Sequence, residues 1–227
     1  MLQLLIRHGE SVSNVEGRVQ GQADVPLSPL GLRQAEDVGR WLTGVGSSAT
    51  ASPWGIDEVW SSPLARARQT AAVIASALGL PVRIDDRLKE LHAGIFQGHL
   101  WSDLEARFPE EVASWRSGAA DYAVPGGESR RMLAARGCAV LEELARRPAG
   151  TIVVVAHGGL LTAALGSLVG HDHPRLVVAA AGPFTRQPAL ANGSVTRLVW
   201  PGPRLEGFND TTHLGAFDAA ATGGDGP

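Results

Sequence analysis

The chain has 227 residues, 44% of them hydrophobic, with a mean hydropathy near zero, so it has the makeup of a globular protein and not of a disordered one. A net charge of −3 and a pI near 6.2 exclude a general nucleic-acid binder, and no apolar run reaches the ~20 residues that span a bilayer. The single cysteine, Cys138, excludes an internal disulfide and a cysteine-built metal site, and a cytoplasmic protein is expected.

Residues 2–6 read as a buried strand that ends abruptly in Arg7, His8 and Gly9. Ser28-Pro29 is an N-cap and N1 pair, with Leu32, Ala35, Val38 and Leu42 at helical spacing behind it. Residues 44–55, rich in Gly, Ser and Pro, form a loop before a strand at 58–60. Ser62-Pro63 reads as a second capping signal, opening a helix with the stripe Ala67, Thr70, Ala71, Ile74 and Leu78. A strand at 82–84 follows, then a helix over 101–116 starting near Ser102. Gly126-Gly127-Glu128-Ser129 opens the longest helix, to about Arg147. A second apolar strand, 151–155, ends in His157 and Gly158 and passes into a helix over 159–169. The turn signal Asn192-Gly193 precedes a last strand at 194–199.

Strands alternating with helices predict an α/β fold, a mostly parallel sheet covered on both faces. No internal repeat or domain boundary is visible. A single domain is expected over 1–218, with the low-complexity stretch 219–227 as a mobile tail.

Ligands of such sheets bind beyond the carboxyl ends of the strands, where the strand order reverses. His8 and His157 both stand at such ends, and the glycines after them would keep the backbone clear of whatever lies there. The strand at 58–60 delivers Arg66 in the first turn of its helix, where an arginine opposes the helix dipole unless an anion is present. Arg7, Arg66, His8 and His157 around one spot would suit a phosphate. A histidine can act as the nucleophile and the arginines can hold the equatorial oxygens, while a carboxyl group supplies the proton. Three acids in DDRLKE, namely Asp85, Asp86 and Glu90, compete for that last role, and the residues alone do not choose among them.

RHGES at 7–11, SSPLARARQTA at 61–71, LKELHAGIFQG at 88–98, PGGES at 125–129 and VVAHGG at 154–159 together resemble the histidine phosphatase superfamily, in its phosphoglycerate-mutase-like branch. The resemblance runs from about residue 2 to 200. It implies a three-layer α/β/α sandwich and a chemistry that needs no metal or other cofactor. It also implies that His8 is phosphorylated, that Arg7, Arg66 and His157 bind the transferring group, and that Glu90 is the general acid and base. Asn14, Gln20 and Gly21 fall on the stretch that wraps the phosphate in this family, and Gly158 follows the second histidine.

The implied partner is a small-molecule phosphate ester, with neither nucleic acid nor membrane; a homodimer is compatible with the sequence, which shows no exposed apolar element to mark an interface. Mutases of this family carry a long basic insertion between the acid and the second histidine. Here Glu90 and His157 lie 67 positions apart, acidic residues cluster around 103–111, and Trp101 stands where a mutase would have a lysine. Hydrolysis of a phosphomonoester is therefore expected, with a phosphoglycerate-type mutase or an inactive phospho-ligand binding protein as alternatives.

The remaining motifs read as structural. His171-Asp172-His173 looks like a solvated loop, Ser129 like a cap, and Cys138 like a packed helix residue. Phe96, Trp101, Trp115 and Tyr122 fall in the segment that overhangs the site in this family, and core packing is expected for at least half of them. GFNDTTHL, with His213, reads as a polar tail.

Overall fold

In the computed structural model, which describes residues 1–44, 53–177 and 190–215, the first apolar run forms β1 (Leu2–Arg7), buried from Gln3 onward. One helical turn, α1 (Val12–Glu16), precedes α2 (Pro29–Thr43). Ser28 caps α2 by accepting from Gly31 N, and Pro29 opens it, as the capping pair predicts. β2 (Ile56–Ser61), α3 (Ala65–Leu78) and β3 (Val82–Ile84) follow. Beyond them come α4 (Leu104–Arg107), α5 (Pro109–Arg116) and α6 (Arg130–Leu144), the last capped by Ser129. β4 (Thr151–Ala156), α7 (Gly158–Val169), α8 (Pro174–Val177), β5 (Val195–Val199) and β6 (Arg204–Asp210) complete the described chain.

The six strands form one sheet in the order β3-β2-β4-β1-β5-β6. β3, β2, β4 and β1 pair in parallel, whereas β5 runs against both β1 and β6. The sheet is thus mostly parallel, as expected. Period-two alternation in the central strands sorts their side chains to two faces. Leu5, Ile152, Val154 and Ala156 pack with α6 and α7 through Leu141, Leu144, Leu160 and Leu161. Leu4, Ile6, Val153 and Val155 pack with α2 and α3 through Val38, Leu42, Ala71 and Ile74. The result is helices, sheet, helices in three layers. Each fully buried aliphatic side chain contributes about 1.5–3 kcal/mol, so β4, buried at all six positions, is the strand on which both layers depend.

Three expectations need correction. The helix over 101–116 is broken into a 3₁₀ turn at Trp101–Asp103, α4, and α5. Phe108, at φ −139° and ψ 56°, leaves the helical region because Pro109 follows it, and Pro109 then restarts the helix at its first position. The helix after Ser129 ends at Leu144, short of Arg147, and at 15 residues only equals α2. GFNDTTHL is not a tail, because Gly207, Phe208, Asn209 and Asp210 belong to edge strand β6. The tail at 219–227 and most of the loop at 44–55 lie outside the described residues.

Candidate active site

β1 and β4 are parallel neighbours with Arg7 opposite Ala156, so the next residue of each strand emerges at the same edge. His8 and His157 consequently face each other with ring centroids 5.1 Å apart and planes inclined by 59°, both wholly buried. His8 Nδ1 lies 2.7 Å from Gly9 O. A carbonyl can only accept, so the ring hydrogen sits on Nδ1 and the lone pair on Nε2. Arg66 confirms that arrangement from the other side, since its Nε–H donates to His8 Nε2 at 3.2 Å.

Arg66 stands in the first turn of α3 and is fully buried. Its Nη1 donates to Ala23 O at 2.9 Å and its Nη2 to Gly21 O at 2.8 Å, so the loop before α2 holds the guanidinium against His8. Arg7, at the end of β1, is also buried; its Nη1 donates to Leu190 O, and its side chain lies beside Gly158. Two buried arginines and two buried histidines thus meet at one sheet edge. Such a concentration of cationic and titratable groups suits a bound anion.

The three candidate acids separate cleanly. Asp85 accepts from Arg87, whose hydrogen bonds hold its carboxyl below the usual range, and Asp86 pairs with Lys89 at 2.7 Å on the surface. Glu90 alone turns inward, with 4% of its surface exposed. Its carboxylate accepts from Leu91 N at 2.7 Å, Gly159 N at 2.9 Å and Leu160 N at 3.0 Å, capping α7 directly after His157. A Cβ on Gly159 would fall 2.6 Å from Glu90 Oε1, so this close approach requires the glycine.

Asn14 and Gln20 are tied together through Ser11, and Gly21 is tied to His8 through Arg66. Ser11 Oγ donates to Gln20 Oε1 at 2.7 Å and Ser11 N to Asn14 Oδ1 at 2.9 Å, while Gly21 O receives Arg66. Asn192, read only as part of a turn, donates through Nδ2 to His8 O at 3.1 Å. Ser62 was expected to cap α3, but the cap position is Leu64. The Ser62 hydroxyl instead lies 2.8 Å from His157 Nε2. The expected anion site at the start of α3 is also modified, because Ala65 N already donates to the Asp24 carboxylate at 2.6 Å. Gly9, too, has a different use. A Cβ there would strike the backbone of Gly31, so the glycine permits the close approach of α2.

The segment between Glu90 and α6 folds, with Val19, around its own small core of Ala93, Phe96, Leu104, Val112, Trp115 and Val124. Phe96 and Trp115 are buried in it, and Trp101 and Tyr122 pack against it while partly exposed, so all four aromatics serve packing. His173 Nδ1 accepts from Arg175 N, which makes it a local cap, and among the described residues no group of three or more His, Cys, Asp or Glu could hold a metal ion. Cys138 packs against the core, where burial pushes its thiol pKa up. Among the described residues no helix is long and apolar enough to cross a membrane.

Comparison with known proteins points the same way as the geometry. Residues 3–210 match the model of the histidine phosphatase superfamily (branch 1). A probable phosphoglycerate mutase of Yersinia pestis is 34% identical, across 94% of this chain and 95% of its own length. A mycobacterial glucosyl-3-phosphoglycerate phosphatase superposes with a TM-score of 0.74 at 32% identity, across 92% of this chain and 99% of that one. A phosphoserine phosphatase of Entamoeba histolytica superposes with a TM-score of 0.76 at 27% identity, across 94% and 98%.

Proposed function

The chain belongs to the histidine phosphatase superfamily, and from that premise we propose that it hydrolyses a small phosphomonoester through a phosphohistidine at His8. The observation that carries this reading is the state of the His8 ring. Its Nδ1–H is committed to Gly9 O, its Nε2 lone pair points at Arg66, and His157 faces it across 5.1 Å. An imidazole locked in that tautomer is a nucleophile aimed at an anion site.

The steps follow from the groups present. His8 Nε2 attacks phosphorus, a P–N bond forms and the P–O bond to the leaving group breaks. Arg7, Arg66 and His157 hold the equatorial oxygens as charge develops. Glu90, as the carboxylic acid, gives its proton to the departing alkoxide, so the product leaves as an alcohol. The resulting carboxylate then takes a proton from water as that water attacks the phosphoryl group. The P–N bond breaks, inorganic phosphate leaves, and His8 and Glu90 return to their starting states.

Hydrolysis is favoured over phosphoryl return to an organic acceptor by the charges carried between Glu90 and His157. Glu105 and Glu110 there are exposed, Glu105 pairs with Arg116 at 3.0 Å, and Lys89, the chain's one lysine, is paired with Asp86. A mutase must hold both ends of a doubly anionic substrate, and this stretch offers no lysine for the second end. The relative named as a phosphoglycerate mutase keeps that alternative in view. Release of inorganic phosphate from p-nitrophenyl phosphate, with His8→Ala as the blank, tests the hydrolase reading. Hydrolysis by the native chain and none by the variant is expected, whereas no phosphate from either would reject it.

A further inference from the structure

We propose that Arg136, clamped by Glu128, is the positioning residue for the Glu90 carboxyl group; this rests on the reading of Glu90 as proton donor. Glu90 lies on a stretch without regular secondary structure, between the 3₁₀ turn Asp86–Leu88 and the turn Gly94–Phe96. No strand ladder fixes its backbone, so something else must. Arg136, on α6, does so with a single side chain. Its Nη1 donates to Arg87 O at 2.9 Å and to Lys89 O, and its Nη2 donates to Glu90 O at 2.9 Å. Gln22 Nε2 donates to the same Glu90 carbonyl at 2.9 Å.

The guanidinium is itself held. Nε and Nη2 each donate to Glu128 at 2.8 Å, one to each carboxylate oxygen, and the two side chains are only 19% and 12% exposed. Glu128 in turn is tied to the same segment, its N donating to His92 O at 2.9 Å. The bidentate pair neutralises the arginine's charge, so Arg136 acts as a strap on the acid's backbone and not as a phosphate ligand. Only a planar fork of donors can reach one carboxylate and three carbonyls together; a lysine at this position would keep the charge and lose the geometry. With the Glu90 carbonyl fixed, its side chain arrives at Leu91 N, Gly159 N and Leu160 N, next to His157.

The test uses leaving groups. p-Nitrophenolate departs without a proton, whereas an alkoxide such as that of β-glycerophosphate needs one. Arg136→Lys should lower kcat/KM, which reports the leaving-group step alone, about 10- to 100-fold on β-glycerophosphate, while kcat/KM on p-nitrophenyl phosphate falls less than about threefold. Glu128→Gln, a milder change, should act in the same direction to a smaller degree. Amide exchange gives a readout apart from activity: the Gly159 and Leu160 amides, capped by Glu90, should lose protection in Arg136→Lys. Equal losses on both esters, or unaltered protection of those amides, would overturn the proposal. Glu90→Gln serves as the reference. If it shows no leaving-group dependence, the proton-donor reading fails and the strap as a catalytic device fails with it, while the exchange data still report whether Arg136 places the carboxylate.

Discussion

The Ser62 hydroxyl lies 2.8 Å from His157 Nε2, both residues wholly buried, and the same oxygen accepts from Leu64 N at 3.3 Å. The loop that ends β2 therefore sets the orientation of the second histidine, which follows β4. Ser62→Ala should remove that restraint without opening a large cavity. Steady-state kinetics should show kcat about tenfold lower, the worth of one buried hydrogen bond of about 1–1.5 kcal/mol, with a fall in melting temperature of a few degrees. An unchanged kcat would mean that His157 is oriented without Ser62.

Glu90→Gln keeps the shape of the side chain but removes the transferable proton. Values of kcat/KM on alkyl phosphates should fall by about 10²–10⁴, and kcat/KM on p-nitrophenyl phosphate much less. The variant should also be less stable by about 1 kcal/mol, because Glu90 takes the Gly159 and Leu160 amides on two separate oxygens and a glutamine has only one to offer. Parallel assays on the two esters, with a thermal melt, separate the two effects.

Gly21 and Gly79 both have positive φ, +52° and +68°, yet they should respond differently to alanine. A Cβ at Gly21 would fall 2.6 Å from Gln97 Oε1 and 2.8 Å from Ala93 Cβ, whereas nothing lies within 4 Å of one at Gly79. Gly21→Ala should cost about 2–3 kcal/mol and displace the carbonyl that holds Arg66, cutting kcat/KM as well. Gly79→Ala should cost about 1 kcal/mol in stability and leave activity intact. Denaturant melts and kinetics on the pair check both halves.

Much of this architecture is legible in the sequence because the central strands are buried on both faces and so read as nearly continuous apolar runs, LQLLI and TIVVV, with Gln3 and Thr151 the polar members. The histidines that end those runs announce their own place. The missed element, β6, is an edge strand that buries only Leu205 and Gly207 fully, so its RLEGFND shows little of a strand's alternation. The break at Phe108 was written in Pro109 and was overridden by the helical content on both sides. Ser62 departs from its capping signal for a physical reason: Ser-Pro is a good cap, but the hydroxyl is engaged by His157 and the helix begins later. Glu90 could not be told from Asp85 and Asp86 by spacing, because what separates them is which way each turns in three dimensions.

The proposed mechanism assigns the nucleophile, the charge stabilisation and the proton to protein groups, with no step for a metal ion. Activity on p-nitrophenyl phosphate should survive dialysis against a chelator with less than about a twofold change. A rate that collapses on chelation and returns with a divalent cation would contradict that assignment.

The most direct measurement is of the covalent intermediate itself. The enzyme is mixed with excess p-nitrophenyl phosphate, quenched in alkali, where a phosphohistidine survives, and digested for mass spectrometry. The phosphoryl group should be found on the peptide carrying Arg7-His8-Gly9, lost on brief acid treatment, and absent from His8→Ala. Phosphate on another residue, or full turnover by His8→Ala, would contradict the account.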